Sequence, residues 1–235
     1  MIKYYSGTVF NTQADALVNT INCDGVMGAG IALEFGLRYP DMYEDYIRKC
    51  KDNEIHVGQV DYYKTNSITI INFPTKFHFK FPSQIQWVEA GLQNFVDTYK
   101  YHNISSVAFP KLGTNKGGLD WNQVKPLMEK YLENLDIEVI ICLDEDKQAA
   151  GLEKQMLEMF NNASIDTLSQ VARLNANQKE IIQKKKPFDR FWKIGITKGI
   201  GQTTYEKFFK HYYNQLSYGN ISEQMSFSFV NEERT

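Results

Sequence analysis

Over its first 145 residues the chain alternates between two spacings of apolar positions. The short runs IKYY, ALVNTI, QVDYY, ITIINF, SSVAFP and IEVIICL are rich in β-branched and aromatic residues and predict strands. Between them, apolar residues recur every three or four positions. That spacing predicts helices at 27–37, at 39–51 with Pro40 near the start, in IQWVEAGLQNFVDTYKYH, and in NQVKPLMEKYLENL with Pro126 near its first turn. Pro74 is expected to end ITIINF and Pro110 to end SSVAFP. IEVIICL lacks polar alternation, as in a sheet covered on both faces. The pattern predicts an α/β domain over 1–147, with a parallel or mixed sheet in a three-layer α/β/α arrangement. Past Cys142 strand signals stop. The segments 145–162 and 164–183 read as helical, so 148–235 is predicted to be a smaller helical domain that ends in a polar, loosely held tail from 219.

Composition narrows the class. The 235 residues are 43% hydrophobic and 23% charged, enough to build a core in a globular protein. No apolar run is long enough for a membrane span, so no membrane partner is expected. MIKYYSGTVF has no signal-peptide pattern. Cys23, Cys50 and Cys142 are widely spaced and form neither a CxxC pair nor a Cys/His cluster. A reducing cytoplasm and a metal-free site are therefore expected. The net charge of −2 is unevenly distributed: residues 1–150 carry 14 Lys and Arg against 19 Asp and Glu, and residues 151–235 carry 12 against 9. The second part is locally basic, which suits either a polyanion or a solvated lysine face.

Three loops stand out at predicted strand ends. In NCDGVMGAGIALEFG, Gly25, Gly28 and Gly30 fall within six residues between a strand and a helix. Bare amides at a helix start attract anions, although tight strand–helix packing needs glycines too. The order is neither a dinucleotide GxGxxG nor a Walker loop. FPKLGTNKGGLDW supplies a second such turn, with Gly113, Gly117 and Gly118, and two glycine loops on neighbouring strands can grip a diphosphate from both sides. NFPTKFHFKFPS places Lys76 just past a strand, among aromatics and beside His78. A lysine at the mouth of an apolar crevice has a lowered pKa and serves as nucleophile or base, whereas most loop lysines are simply solvated. In open α/β sheets ligands lie outside the carboxyl ends of the strands, where all three loops are expected.

In the C-terminal part, KIGITKGIGQTTYEKFF resembles a helix–hairpin–helix turn. Gly199 and Gly201 would offer amides to a DNA phosphate, with Lys193, Lys198 and Lys207 as further phosphate contacts. A purely structural helix turn is the alternative. Phe191 and Trp192 suit either base stacking or core packing.

Together, VNTINCDGVMGAGIALEF, NFPTK and LGTNKGGLDW resemble the macrodomain of the DNA ADP-ribosyl glycohydrolases, the DarG-type antitoxins, over roughly residues 1–145. The resemblance implies a macrodomain fold that binds ADP-ribose at the strand ends and needs no cofactor. It implies that Asn22 contacts the distal ribose and that Gly28, Ala29, Gly30 and Ile31 line the ribose or the diphosphate; Cys23, next to Asn22, is a further candidate site residue. Thr114, Asn115, Lys116, Gly117 and Gly118 would wrap the phosphates. Lys76 matches the lysine on which activity depends. The implied substrate is ADP-ribosylated single-stranded DNA, modified on thymine, and the implied counterpart is a DarT-type toxin. Two departures from the family pattern are visible. Thr8 and Val9 stand where macrodomains often carry an adenine-binding Asp. Gly117 and Gly118 stand where related hydrolases carry an assisting Asp, leaving Asp120 as the nearest acid and also a candidate helix cap. His78 is a candidate to orient substrate or stack on a base. Two other readings stay open at this point: a module that binds ADP-ribose without cleaving it, and a protein that neutralises a toxin through its C-terminal helices.

Overall fold

Among the described residues, six strands make one sheet in the order β1 (Ile2–Tyr5), β6 (Glu138–Cys142), β5 (Ser106–Pro110), β2 (Ala16–Asn22), β4 (Thr69–Lys76) and β3 (Asp61–Lys64). All neighbours pair in parallel except β3, which runs antiparallel to β4, so the sheet is mixed. The computed structural model describes the backbone of residues 1–232 and the side chains of residues 1–217. The chain divides into two units, Met1–Glu145 and Asp146–Thr235.

The period of two in each strand feeds two cores. Val18, Ile71, Phe73, Val107, Phe109, Val139 and Ile141 face one side, where α3 (Ile85–Thr98) adds Val88, Leu92 and Phe95, and α4 (Trp121–Leu132) adds Val124, Met128 and Leu132. Leu17, Ile21, Ile70, Ala108 and Cys142 face the other side, against Phe35 of α1 (Gly30–Arg38) and Met42 and Tyr46 of α2 (Pro40–Lys51). These side chains are almost wholly buried, and each Val, Leu, Ile, Phe and Met among them contributes roughly 1.5–3 kcal/mol by leaving water. The three-layer α/β/α architecture thus follows from the alternation along the strands.

Several boundaries differ from those the sequence predicts. Helix α1 starts at Gly30, not Met27, because residues 27–29 remain outside the helix: Ala29 is extended at φ −161°, and the Met27 N–H donates to Tyr43 Oη at 3.2 Å. Strand β4 runs through Pro74 to Lys76. β3 pairs only as far as Asp61 with Asn72, so β4 has a single neighbour beyond that point, and a proline is tolerated there as at a sheet edge. Pro126 lies inside α4, in its second turn.

The second unit is helical: α5 (Gly151–Asn162), α6 (Ile165–Ala172), α7 (Ala176–Lys185), α8 (Trp192–Ile196) and α9 (Gln202–Glu232). The single helix suggested by 164–183 is two, broken where Arg173 takes a left-handed φ of +54°. Phe160 sits at the centre, edge-on to Phe188, Phe191, Phe208 and Tyr212. Arg190 is buried and its Nε donates to both carboxylate oxygens of Glu153, at 3.0 and 3.1 Å. α9 continues through positions 219–232, where the sequence predicts a loose tail; positions 233–235 lie outside the described residues. Among the described residues no helix is long and apolar enough to cross a membrane.

Candidate active site

The three unusual loops leave the carboxyl ends of β2, β4 and β5, and these strands are adjacent in the sheet. Asn22 and Lys76 are paired positions across β2 and β4. The ladder continues one step into the loops, with the Cys23 N–H donating to Phe77 O at 3.3 Å. A second tie joins the same two loops: the Phe79 N–H donates to Asp24 Oδ2 at 2.7 Å. The middle and third loops are joined by Lys76 Nζ donating to Lys116 O at 2.5 Å and by the Ser83 N–H donating to Gly117 O at 2.8 Å. Gly30 of the first loop faces the third loop, since a Cβ on it would lie 3.9 Å from Lys116 Cγ.

Lys76 therefore stands at the junction of all three loops. Burial lowers its pKa below the ordinary lysine value of 10.5, and the nearby Lys116 charge lowers it further. Both effects enlarge the neutral, nucleophilic fraction of the amine at a given pH. The first loop offers an anion site: Gly28, Ala29 and Gly30 are exposed, and the N-terminus of α1 has no side-chain cap. Its first amides are therefore open to a ligand, with the helix dipole behind them. In the third loop, Asn115–Gly117 form a single 3-10 turn, with Asn115 at φ +44° and Gly118 at φ +80°. Asn115, Lys116 and Gly118 are exposed, Thr114 is half-buried, and its Oγ1 donates to Lys111 O at 2.9 Å. Gly117 is buried because Ser83 packs against it; a Cβ there would come within 2.6 Å of Ser83 Oγ.

Asn22 is buried, and its amide mainly shapes its own loop. Nδ2 donates to Val26 O at 2.6 Å, while Oδ1 accepts from the Asp24 N–H at 2.9 Å. One amide hydrogen then remains for a ligand. The phenol of Tyr46 lies 2.7 Å from Asn22 O and 3.0 Å from Asn22 Oδ1, sharing its one proton between them. Tyr46→Phe is expected to cost about 1–2 kcal/mol, the loss of a buried hydrogen bond that leaves its acceptors short of a partner. Urea unfolding measures this, and a loss near zero would show that the phenol does not hold the loop.

The remaining sequence candidates have plainer surroundings. Burial pushes the Cys23 thiol up to about 11, which keeps it protonated and unreactive near neutral pH. Ile31 is half-buried in the first turn of α1. Thr8 Oγ1 donates to Asn11 Oδ1 at 2.8 Å just after β1, and Val9 is fully buried, so its side chain belongs to the core. Asp120 caps α4 by accepting from the Asn122 N–H at 3.0 Å. His78 stacks on Phe79, and its Nδ1 accepts from the Lys80 N–H at 3.2 Å. In the second unit, Gly199 and Gly201 take φ +93° and +82° in the turn between α8 and α9. Lys198 and Lys207 are exposed, while Lys193 pairs with Asp189 at 2.7 Å. Phe191 belongs to the helical core and offers no surface for stacking, whereas Trp192 is partly exposed. Sequence reasoning missed Asp24, Tyr46 and Ser83, which tie the loops together. Their local signals are those of a loop acid, a core tyrosine and a turn serine.

Comparison with known proteins agrees with this geometry. The family model of the Macro domain matches residues 18–128. A DNA ADP-ribosyl glycohydrolase of Mycobacterium tuberculosis is 42% identical over 146 residues, which is 60% of this chain and 42% of that protein. The chain thus spans less than half the length of the curated relatives it matches first. The solved macrodomain of Mycobacterium tuberculosis DarG is 41% identical with a TM-score of 0.59, covering 60% of this chain and 97% of that one. Thermosipho africanus DarTG, solved in complex with ADP-ribose, is 34% identical with a TM-score of 0.60, covering 65% of this chain and 44% of that one. With its three site loops on adjacent strands of the matched region, the chain belongs to the macrodomain family, in the branch of the DarG-type DNA ADP-ribosyl glycohydrolases.

Proposed function

We propose that this chain is itself a DNA ADP-ribosyl glycohydrolase that removes ADP-ribose from a base in single-stranded DNA. The carrying observation is Lys76, a lysine of lowered pKa held at the junction of two glycine loops. The open amides of α1 and the 3-10 turn at 115–117 hold the diphosphate, and the distal ribose lies between Asn22 and Lys76. The bond between the distal ribose carbon and the base nitrogen breaks. Its electron pair goes to the base, which takes a proton, and the ribose carbon ends with a hydroxyl from water. Two routes use Lys76. A neutral Nζ attacks the anomeric carbon, or the aldehyde of the opened ring, to form an imine that water hydrolyses. Alternatively, a charged Nζ protonates the leaving base. A lowered pKa serves both routes, by enlarging the neutral fraction for the first and by strengthening the acid for the second.

Thymine is the base proposed, and a DarT-type toxin the source of the modification. A Thermosipho africanus relative, 35% identical over 166 residues, is named as a fusion of a DNA ADP-ribosyl transferase with the glycohydrolase. The cytoplasm is the proposed location. The test is to incubate the chain with a thymine-ADP-ribosylated single-stranded oligonucleotide and follow release of unmodified DNA on a gel. Release supports the reading. ADP-ribose bound without release would leave a module that binds but does not cleave.

The second unit is proposed to grip DNA phosphate through the α8–α9 turn, on the strength of the two left-handed glycines and the exposed Lys198 and Lys207. Lys198→Ala with Lys207→Ala is expected to lower the salt slope of single-stranded DNA binding by about 1 for each phosphate that a lysine no longer neutralises. A slope equal to wild type counts against it.

A further inference from the structure

The segment that follows Lys76 reads FHFKF, and it carries the exposed phenylalanines found among the described residues. Phe77 is 64% exposed, Phe79 42% and Phe81 62%. Rings of this size normally supply core, as Phe73 does on β4 just before this segment. Three exposed together beside a reactive amine are not explained by packing.

The rings are arranged rather than loose. His78 stacks on Phe79 with centroids 4.8 Å apart and planes 20° apart, and it meets Phe81 at 5.2 Å. Lys80 Nζ lies 5.5 Å from the Phe79 ring centroid. The backbone beneath them is pinned by the Phe81 N–H donating to His78 O at 3.1 Å, the Phe79 N–H to Asp24 and the Cys23 N–H to Phe77 O. The result is an exposed cluster of His78, Phe79 and Phe81 with the Lys80 cation beside it, and the exposed Phe77 links it along the chain to Lys76.

We infer that Phe77, Phe79 and Phe81, with Lys80, form a stacking platform for the bases flanking the modified nucleotide, so that the site selects ADP-ribose carried on a single strand. This rests on the proposed glycohydrolase reading and names the residues that hold the strand on either side of the modified base. Several features favour a nucleic-acid strand as occupant. Its bases present flat faces to the rings, and such stacking tolerates any sequence. Its phosphates match Lys80, and the exposed Lys116, whose carbonyl accepts from Lys76, adds positive charge in the third loop. Asp24, the acid on this side, is engaged by the Phe79 N–H and lies 3.8 Å from His78 Nδ1.

The experiment compares two substrates, ADP-ribosylated thymidine alone and the same modification within a single-stranded oligonucleotide. Wild type is set against a triple Phe→Leu variant at 77, 79 and 81, which keeps apolar bulk and removes the rings, and against a triple Phe→Tyr variant, which keeps them. The leucine variant is expected to lose about tenfold or more in kcat/KM on the oligonucleotide, the worth of at least one base–aromatic stack. Its kcat/KM on the nucleoside and its Kd for ADP-ribose stay at wild-type values, and the tyrosine variant behaves as wild type. Equal losses on both substrates would assign the rings a structural role and overturn the platform, and so would no loss on either. Lost binding to anionic phosphatidylserine vesicles, with the oligonucleotide unaffected, would overturn it in favour of a lipid surface. If wild type releases nothing from either substrate, the glycohydrolase reading fails by itself. The Kd of the modified oligonucleotide relative to that of ADP-ribose then decides the platform: a preference lost in the leucine variant supports it, and no preference overturns it.

Discussion

Lys76→Ala is expected to slow release of ADP-ribose from modified single-stranded DNA by roughly 10²–10⁴-fold, the usual worth of a positioned acid, base or nucleophile. ADP-ribose affinity should change little, because the amides that hold the diphosphate belong to other residues. Single-turnover release and calorimetric binding of ADP-ribose separate the two. A variant that still cleaves at a tenth of the wild-type rate would remove Lys76 from the chemistry, whereas lost cleavage with lost binding would make it a ligand contact.

The pH profile then chooses between the two routes. Burial and the Lys116 charge hold the Lys76 pKa below the ordinary 10.5 in the free protein. If the neutral amine attacks, kcat/KM rises with pH and levels off below the range of a solvated lysine. If the ammonium acts as acid, kcat/KM falls across the same window. A bound diphosphate places negative charge near Lys76 and stabilises its protonated form. The corresponding limb in kcat, which reports the complex, therefore lies at higher pH than the limb in kcat/KM. Lys76→Arg supplies the charge but neither a neutral amine nor a releasable proton, so it is expected to rescue neither route.

Much of this was legible in the sequence, for reasons that differ by element. The strands and helices of residues 1–145 were visible because period two and the three-to-four spacing each bury one face, as Val18 and Leu17 do on opposite sides of β2. Glycine clusters at strand ends marked the first and third loops. What a linear pattern does not carry is adjacency. Nothing local to Lys76 says that its amine reaches the carbonyl of Lys116, forty positions away, because that depends on the order β5, β2, β4 in the sheet. Asp24 reads as a loop acid until the Phe79 amide is seen donating to it. Helix α1 begins late because the chain is still extended at Ala29, and Gly25 and Gly30 on either side take left-handed φ of +79° and +59°, choices that apolar spacing does not reveal. The alternation of Phe77, Phe79 and Phe81 looks like a strand continuing into a core, and only their exposure gives it another meaning.

Two glycine substitutions separate turn chemistry from ligand contact. Gly28 has an ordinary φ, and a Cβ there would meet Val26 Cγ1 at 3.5 Å, a normal contact. Gly28→Val should therefore leave thermal stability near wild type, as for most exposed positions. Gly28 is exposed two residues before α1, where the diphosphate is proposed to bind, so ADP-ribose affinity should fall by roughly 10–100-fold, the cost of crowding a close contact. Gly30 is different. Its φ of +59° is the left-handed region, and a β-branched residue there is strained by about 1–2 kcal/mol. It also faces Lys116 across the crevice, so Gly30→Val should lower both the melting temperature and the affinity. If Gly28→Val bound ADP-ribose as wild type does, the glycines of the first loop would serve the turn alone. The diphosphate would then have to be held by the third loop, and the proposed grip from two sides would be wrong.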